Sequence, residues 1–161
     1  IKDNSRIIIT VANLVPVKGL EILINAFEEL SSMHPDWRLM IAGDNTTQYG
    51  LRLKKTISNK QNFKEKVMFI GKQNNVREFL DISEIYVQPT LNKGRKEGAP
   101  IAVLEAMANG KVVLGSNIPG IRDQDRGKND HSPNVGCLSM LRPTSFGKEN
   151  CILLHCLHPL M

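Results

Sequence analysis

The chain is poor in the features that mark membrane, secreted and metal-built proteins. Nowhere in its 161 residues is there an apolar run long enough to cross a bilayer, or a signal peptide with a charged start and a small-residue cleavage site. Cysteine is scarce: there are three, all between Asp125 and Met161, and an odd number argues against a disulfide framework. Cys137, Cys151 and Cys156, taken with His131, His155 and His158, fit no C-x2-C pair and no zinc-finger spacing, so no metal is expected. Aromatic residues make up 5% of the chain and do not interleave with its basic clusters, which removes a nucleic-acid platform. The net charge of +5 is mild. Its densest clusters, Arg52 with Lys54 and Lys55, and Lys93 with Arg95 and Lys96, read as solvated faces. An initiator methionine is lacking too, and a strand-like run begins almost at once, which reads as a piece of a longer polypeptide.

Apolar and charged contents of 41% and 23% are ordinary for a soluble globular domain, and the length suits one such unit. To about residue 124 the chain alternates strand-like and helix-like segments. Ile7 to Ala12 reads as a buried strand, and Leu20, Leu23, Phe27 and Leu30 then recur at helical spacing. Leu39 to Ala42 predicts a short strand, Leu51 to Ile57 a helix, and Val67 to Ile70 a third strand. Val76 to Leu80 predicts a short helix, Ile85 to Gln88 a fourth strand stopped by Pro89, and Val112 to Leu114 a fifth. Short buried strands separated by helices predict a parallel sheet with helices on both faces, a Rossmann-like three-layer α/β/α fold. Ligands of such sheets bind at the carboxyl ends of the strands, where the loops carrying Gly43, Gly71 and Gly98 lie. From Asp125 to Met161 periodicity fades. Two segments are therefore expected: residues 1–124, a domain incomplete at its end, and residues 125–161, an irregular tail.

The densest signal lies between the fourth and fifth strands. Glu97 and Glu105 are separated by seven residues, with Gly98 and Ala99 after the first, Pro100 opening an apolar helix and Asn109-Gly110 closing it. Proline suits the first helical position, where its missing N–H costs nothing. Ile101, Leu104 and Ala108 share one face at helical spacing. Free N–H groups at such a helix start favour an anion, phosphate above all. A carboxylate there repels phosphate, so the glutamates suit sugar hydroxyls better.

This Glu97-to-Glu105 element resembles the E-x7-E signature of retaining, nucleotide-sugar-dependent glycosyltransferases of the GT-B fold. Residues 6 to 123 are similar to the C-terminal, donor-binding half of the family-4 type. Four further segments carry the resemblance, in the family's order: Val11 to Leu20, Leu39 to Asp44, Val67 to Gly71 and Ile85 to Thr90. Lys18-Gly19 matches the family's Lys-Gly, whereas the Gly-Arg pair that usually precedes it is Ala12-Asn13. Asn13 brings no charge, so diphosphate binding would rest on Lys18 and backbone amides, with weaker donor affinity or a substitute cation expected.

The resemblance implies further roles. Glu97 would reach the transferred sugar and Glu105 the ribose hydroxyls. Gly98, Ala99 and Pro100 would shape a phosphate-facing helix start, and Gly43 would permit close backbone approach. Asp44 reads as a turn or cap residue. The loop after Gly71, holding Lys72, Gln73 and Asn74, would meet the nucleobase. Glu97 and Lys18 are thus the candidate catalytic residues. The implied reaction moves a sugar from a UDP- or GDP-linked donor to an acceptor hydroxyl with retention of configuration. It needs no metal or other cofactor. The partners implied are a nucleotide sugar and a missing N-terminal acceptor domain, in a cytoplasmic enzyme with peripheral contact to the inner membrane face. Two other readings stay open: a nucleotide-binding module without chemistry, and a degenerate remnant.

Overall fold

The computed structural model describes residues 4–92, 98, 100–122, 124 and 138–141. Six parallel strands form one sheet: β1 (Arg6–Val11), β2 (Trp37–Ala42), β3 (Val67–Gly71), β4 (Ile85–Gln88), β5 (Val112–Ser116) and β6 (Leu138–Leu141). Their order across the sheet is β3-β2-β1-β4-β5-β6. The chain thus runs outward from β1 to β3, returns to the other side of β1, and runs outward again. The reversal falls between β1 and β4, where Ile8 pairs with Ile85 and Ile9 with Tyr86. At such a switch point the loops above adjacent strands diverge and leave a crevice.

Alternation along each strand builds two cores. Ile8 of β1 points to one face with Leu39, Ile41, Ile85, Val87 and Leu114. That face is covered by α1 (Leu20–Met33), α2 (Gln48–Ser58) and α3 (Gln61–Lys64), through Leu23, Phe27, Leu30, Leu53, Ile57 and Phe63. Ile7 and Ile9 point to the other face with Met40, Tyr86 and Val113, beneath Leu80 of α4 (Arg77–Asp81), Val103, Ala106 and Met107 of α5 (Ile101–Ala108), and Ile121 of α6 (Pro119–Arg122). Burying side chains of this size contributes roughly 1.5–3 kcal/mol each. Apolar content on both faces of the inner strands is what forces the three layers.

At the amino edge of the sheet, Arg6 clasps Glu84 with contacts of 2.7–3.1 Å and lies 4.2 Å over the Trp37 ring. This tie joins the starts of β1 and β2 to the turn before β4, so the strands are pinned at the edge opposite the crevice.

The expected strands and main helices are present, with differences at their ends. Thr47 accepts the Gly50 N–H at 3.1 Å, so α2 starts three residues ahead of the expected Leu51. Pro100 is the residue before α5 rather than its first, with ψ at 115°. Pro119-Gly120 opens α6. Within the stretch expected to be irregular, Leu138–Leu141 form β6 and pair with β5 from Val113 to Ser116. An edge strand this short carries too little alternation to stand out from a loop.

The face of α5 that Ile101, Leu104 and Ala108 share is its outer one. Ile101, Leu104 and Ala108 are exposed, and Val103, Ala106 and Met107 face the sheet. Nearly every position of this helix is apolar, so periodicity alone does not choose which stripe goes inward.

Candidate functional site

The loops at the carboxyl edge are locked to one another by backbone contacts. The Ala12 N–H donates to Ala42 C=O at 3.0 Å, and Gly43 N–H to Gly71 C=O at 2.9 Å. Gly43, at φ 152°, lies so close to β1 that an added Cβ would sit 2.0 Å from the Ala12 oxygen. No other residue fits there without moving the β1 loop. A second lock holds the turn bearing Lys18. Leu91 N–H donates to Val17 C=O at 2.8 Å, and a Cβ on Gly19 would meet the Pro89 oxygen at 2.0 Å. The turn after β1 and the loop after β4 are therefore packed as one body.

Between these loops opens a cavity of about 460 Å³. Its wall runs across the sheet edge: Lys72 and Gln73 after β3, Gly43 and Asp44 after β2, Asn13 and Lys18 after β1, Gln88 at the end of β4, and Pro100, Ile101 and Ala102 at the start of α5. Val11, Ala12, Ala42 and Val76 complete it. Such a volume suits a small organic ligand. Two lysines and one aspartate line the wall, and the first N–H groups of α5 have no partner within the helix. The cavity therefore favours an anion.

Asp44 offsets one of these positive charges and leaves the other, and its own side chain is engaged. Its carboxylate accepts the Thr46 hydroxyl at 2.6 Å and the Thr46 N–H at 3.0 Å. The hydroxyl bond first, then the N–H bond, hold the carboxyl below its usual range; slight burial opposes them and the Lys72 charge assists. Gln73 is also constrained, as its Nε2 donates to Ile70 C=O.

On the floor, three polar side chains form a chain. Tyr86 directs its hydroxyl to Gln88 Oε1 at 2.6 Å, with Val11 C=O a more distant acceptor at 3.3 Å, and Gln88 Nε2 donates to Thr90 Oγ1 at 2.9 Å. The two lengths at Gln88 fit an O–H donor and an N–H donor respectively, which orients the carboxamide.

Of the residues expected at the site, Asn13, Lys18, Gly43, Lys72, Gln73 and Pro100 line the cavity. Gly71 stands behind the wall, bonded to Gly43. Gly98 is exposed, and Glu105 is exposed on α5, outside the cavity wall. Glu97 and Ala99 lie outside the described residues. The expectation for Asp44 as a turn residue matches its bond to Thr46, while the cap of α2 is Thr47. Sequence reasoning missed Gln88, Val76, Ile101 and Ala102 as wall residues. Gln88 had a signal: it is the one polar residue in the strand Ile85–Gln88. Among the described residues, no cluster of potential metal ligands occurs, and no helix is long and apolar enough to cross a membrane.

A crevice at the switch point of a parallel sheet covered by helices on both faces defines a Rossmann-like α/β class of domain. The chain belongs to the glycosyl transferases group 1 family, whose profile matches residues 1–127. An uncharacterized glycosyltransferase of Haemophilus influenzae is 30% identical over 122 residues, covering 75% of this chain and 33% of that protein. A glycosyltransferase from Rickettsia africae superimposes with a TM-score of 0.77 at 21% identity, over 98% of this chain and 39% of the other. Anabaena HepE, solved with UDP-glucose, gives 0.71 at 20% identity, over 98% and 40%. These two structures share the fold, that of GT-B glycosyltransferases. The chain spans about a third of the length of the Haemophilus relative.

Proposed function

We propose that this chain is the donor-binding domain of a retaining glycosyltransferase, holding a nucleoside diphosphate sugar in the crevice between β1 and β4. The observation that carries the proposal is the single cavity wall that runs from Lys72 to Lys18 and the start of α5, the last two an arrangement of cation and amide donors suited to a diphosphate. The co-crystallised UDP-glucose of the Anabaena neighbour supports the ligand class.

In this reading Lys18 and the α5 amides bind the diphosphate and stabilise the negative charge that grows on it as the sugar–oxygen bond breaks. Asn13 adds a neutral hydrogen bond from the same loop. Lys72 and Gln73 meet the nucleobase, Glu105 the ribose hydroxyls, and Glu97 the transferred sugar, with Gly98 and Ala99 shaping the approach to the helix. An acceptor hydroxyl, brought by the remainder of the protein at the inner membrane face, takes the sugar with retention. No step calls for a metal.

Calorimetric titration with UDP, GDP and ADP tests the site. One nucleotide should bind, and Lys18→Ala should weaken it by about 10–100-fold, the worth of one charge-assisted hydrogen bond. Glu105→Ala should weaken it as well. Failure of all three nucleotides to bind the folded chain overturns the proposal. Since the chain spans a third of its Haemophilus relative, nucleotide binding without sugar transfer is the behaviour expected of it alone.

A further inference from the structure

Gln88 has hydrogen-bonding capacity that no described neighbour uses. It is 1% exposed at the end of β4, and it forms part of the cavity wall. Tyr86 holds its oxygen and Thr90 takes one of its amide protons. A carboxamide has two N–H donors, and no described residue accepts the second. An amide buried this deeply with an idle donor is costly unless something in the cavity accepts from it.

Position across the sheet says which part of a ligand that is. Lys72 and Gln73 stand at the end of β3 and Gln88 at the end of β4, with β2 and β1 between them. Three strand spacings separate the two, about 14 Å. A nucleotide laid along this edge with its base at β3 places its far, charged end at β4, beside the start of α5 and the Lys18 turn. The Lys18 ammonium and the first N–H groups of α5 are donors on that side of the wall.

We propose that Gln88 is a binding residue for the phosphate distal to the base, and that Tyr86 is the positioning residue that keeps the amide nitrogen turned to it. The proposal rests on the donor-site reading above and adds to it a residue that discriminates diphosphate from monophosphate. Gln88 donates to a non-bridging oxygen of the distal phosphate, and the Tyr86 hydroxyl prevents the carboxamide from flipping and presenting its oxygen instead. Such a flip would set a lone pair against an anion.

The test is paired calorimetry at pH 8 with nucleoside diphosphates and monophosphates of uracil, guanine and adenine. It uses wild-type chain, Gln88→Met, Gln88→Glu and Tyr86→Phe, each checked for an unchanged unfolding midpoint. Gln88→Glu keeps an acceptor for Tyr86 and for the Thr90 hydroxyl, so it guards against loss by misfolding. For the nucleotide that binds wild type, Gln88→Met should weaken the diphosphate about fivefold, Tyr86→Phe about threefold and Gln88→Glu at least tenfold. The matching monophosphate should change by less than twofold in all three. Unchanged diphosphate affinity, or equal losses for both ligands, overturns the role of Gln88 while leaving the donor site standing. Absence of any nucleotide binding by wild type overturns both.

Discussion

At the scale of single residues, the site is held by close approaches rather than by long side chains. Gly43 and Gly19 each sit where a Cβ would fall 2.0 Å from a backbone oxygen, and both have positive φ. Gly43→Ala and Gly19→Ala should each destabilise the fold by about 1–3 kcal/mol, the range of backbone strain at such positions, measurable by urea unfolding. Gly43→Ala should also weaken nucleotide binding, since it shifts the loop bearing Asn13. Asp44 supplies a pH dependence. Its carboxyl is held below the ordinary value of 3.8 by Thr46, so the native state favours the ionised form. Its contribution to stability is full above that ordinary value and is lost as pH falls through the lower native one. Unfolding midpoints followed from neutral pH down to about pH 3 should drop less steeply for Asp44→Asn than for wild type.

At the scale of elements, α5 shows how the sheet settles what a helix alone leaves open. Met107 is 2% exposed and Leu104 is 47% exposed on the same apolar helix. Met107→Ala should cost about 2–5 kcal/mol, whereas Leu104→Ala should stay within about 0.5 kcal/mol. A reversed order in chemical denaturation would mean that the helix packs by its other face. The reason for its present orientation is local. Asn109 and Gly110 close the helix onto Glu105 and Met107 carbonyls, and Lys111 N–H donates to Ala106 C=O at 3.0 Å, which turns the chain directly into β5. That exit fixes the rotation, leaving Ile101 and Ala102 beside the cavity and Val103, Ala106 and Met107 on the sheet. Opposite, α1 presents an unambiguous stripe, with Leu20, Leu23, Phe27 and Leu30 all buried as their spacing predicts. Phe27→Ala should cost about 3–5 kcal/mol, read by the same unfolding experiment.

At the scale of the whole molecule, one sheet edge is clamped and the other carries the crevice. The Arg6–Glu84–Trp37 cluster ties the amino ends of the strands, and the loops at the carboxyl ends, tied by backbone hydrogen bonds, line the crevice. Breaking the clamp by Glu84→Ala should lower stability by no more than about 1 kcal/mol, because the pair is partly exposed. Nucleotide affinity should not change, which calorimetry would show. A large loss of affinity would mean that the two edges are coupled. The chain spans about a third of the Haemophilus relative, and under the proposed function nucleotide binding falls to this domain while transfer needs the remainder of the protein.

The sequence by itself determined the layered α/β architecture, because apolar strands alternating with amphipathic helices can bury both strand faces in few other ways. It also determined the edge on which the site lies, through glycines at strand ends, and it marked Asn13, Lys18, Lys72, Gln73 and Pro100, all of which line the cavity. It did not determine β6, whose four residues carry little pattern, nor the inward face of α5, where apolarity surrounds the helix. Gln88 was the least legible of the wall residues. A polar side chain inside an apolar strand is an exception to the local pattern, and its meaning depends on Tyr86 two residues before, Thr90 two residues after, and the cavity above them. Only the tertiary structure brings β1 and β4 side by side, since residues separated by more than seventy positions become neighbours through the strand order. Periodicity reports each element's own burial, and the crevice belongs to none of them alone.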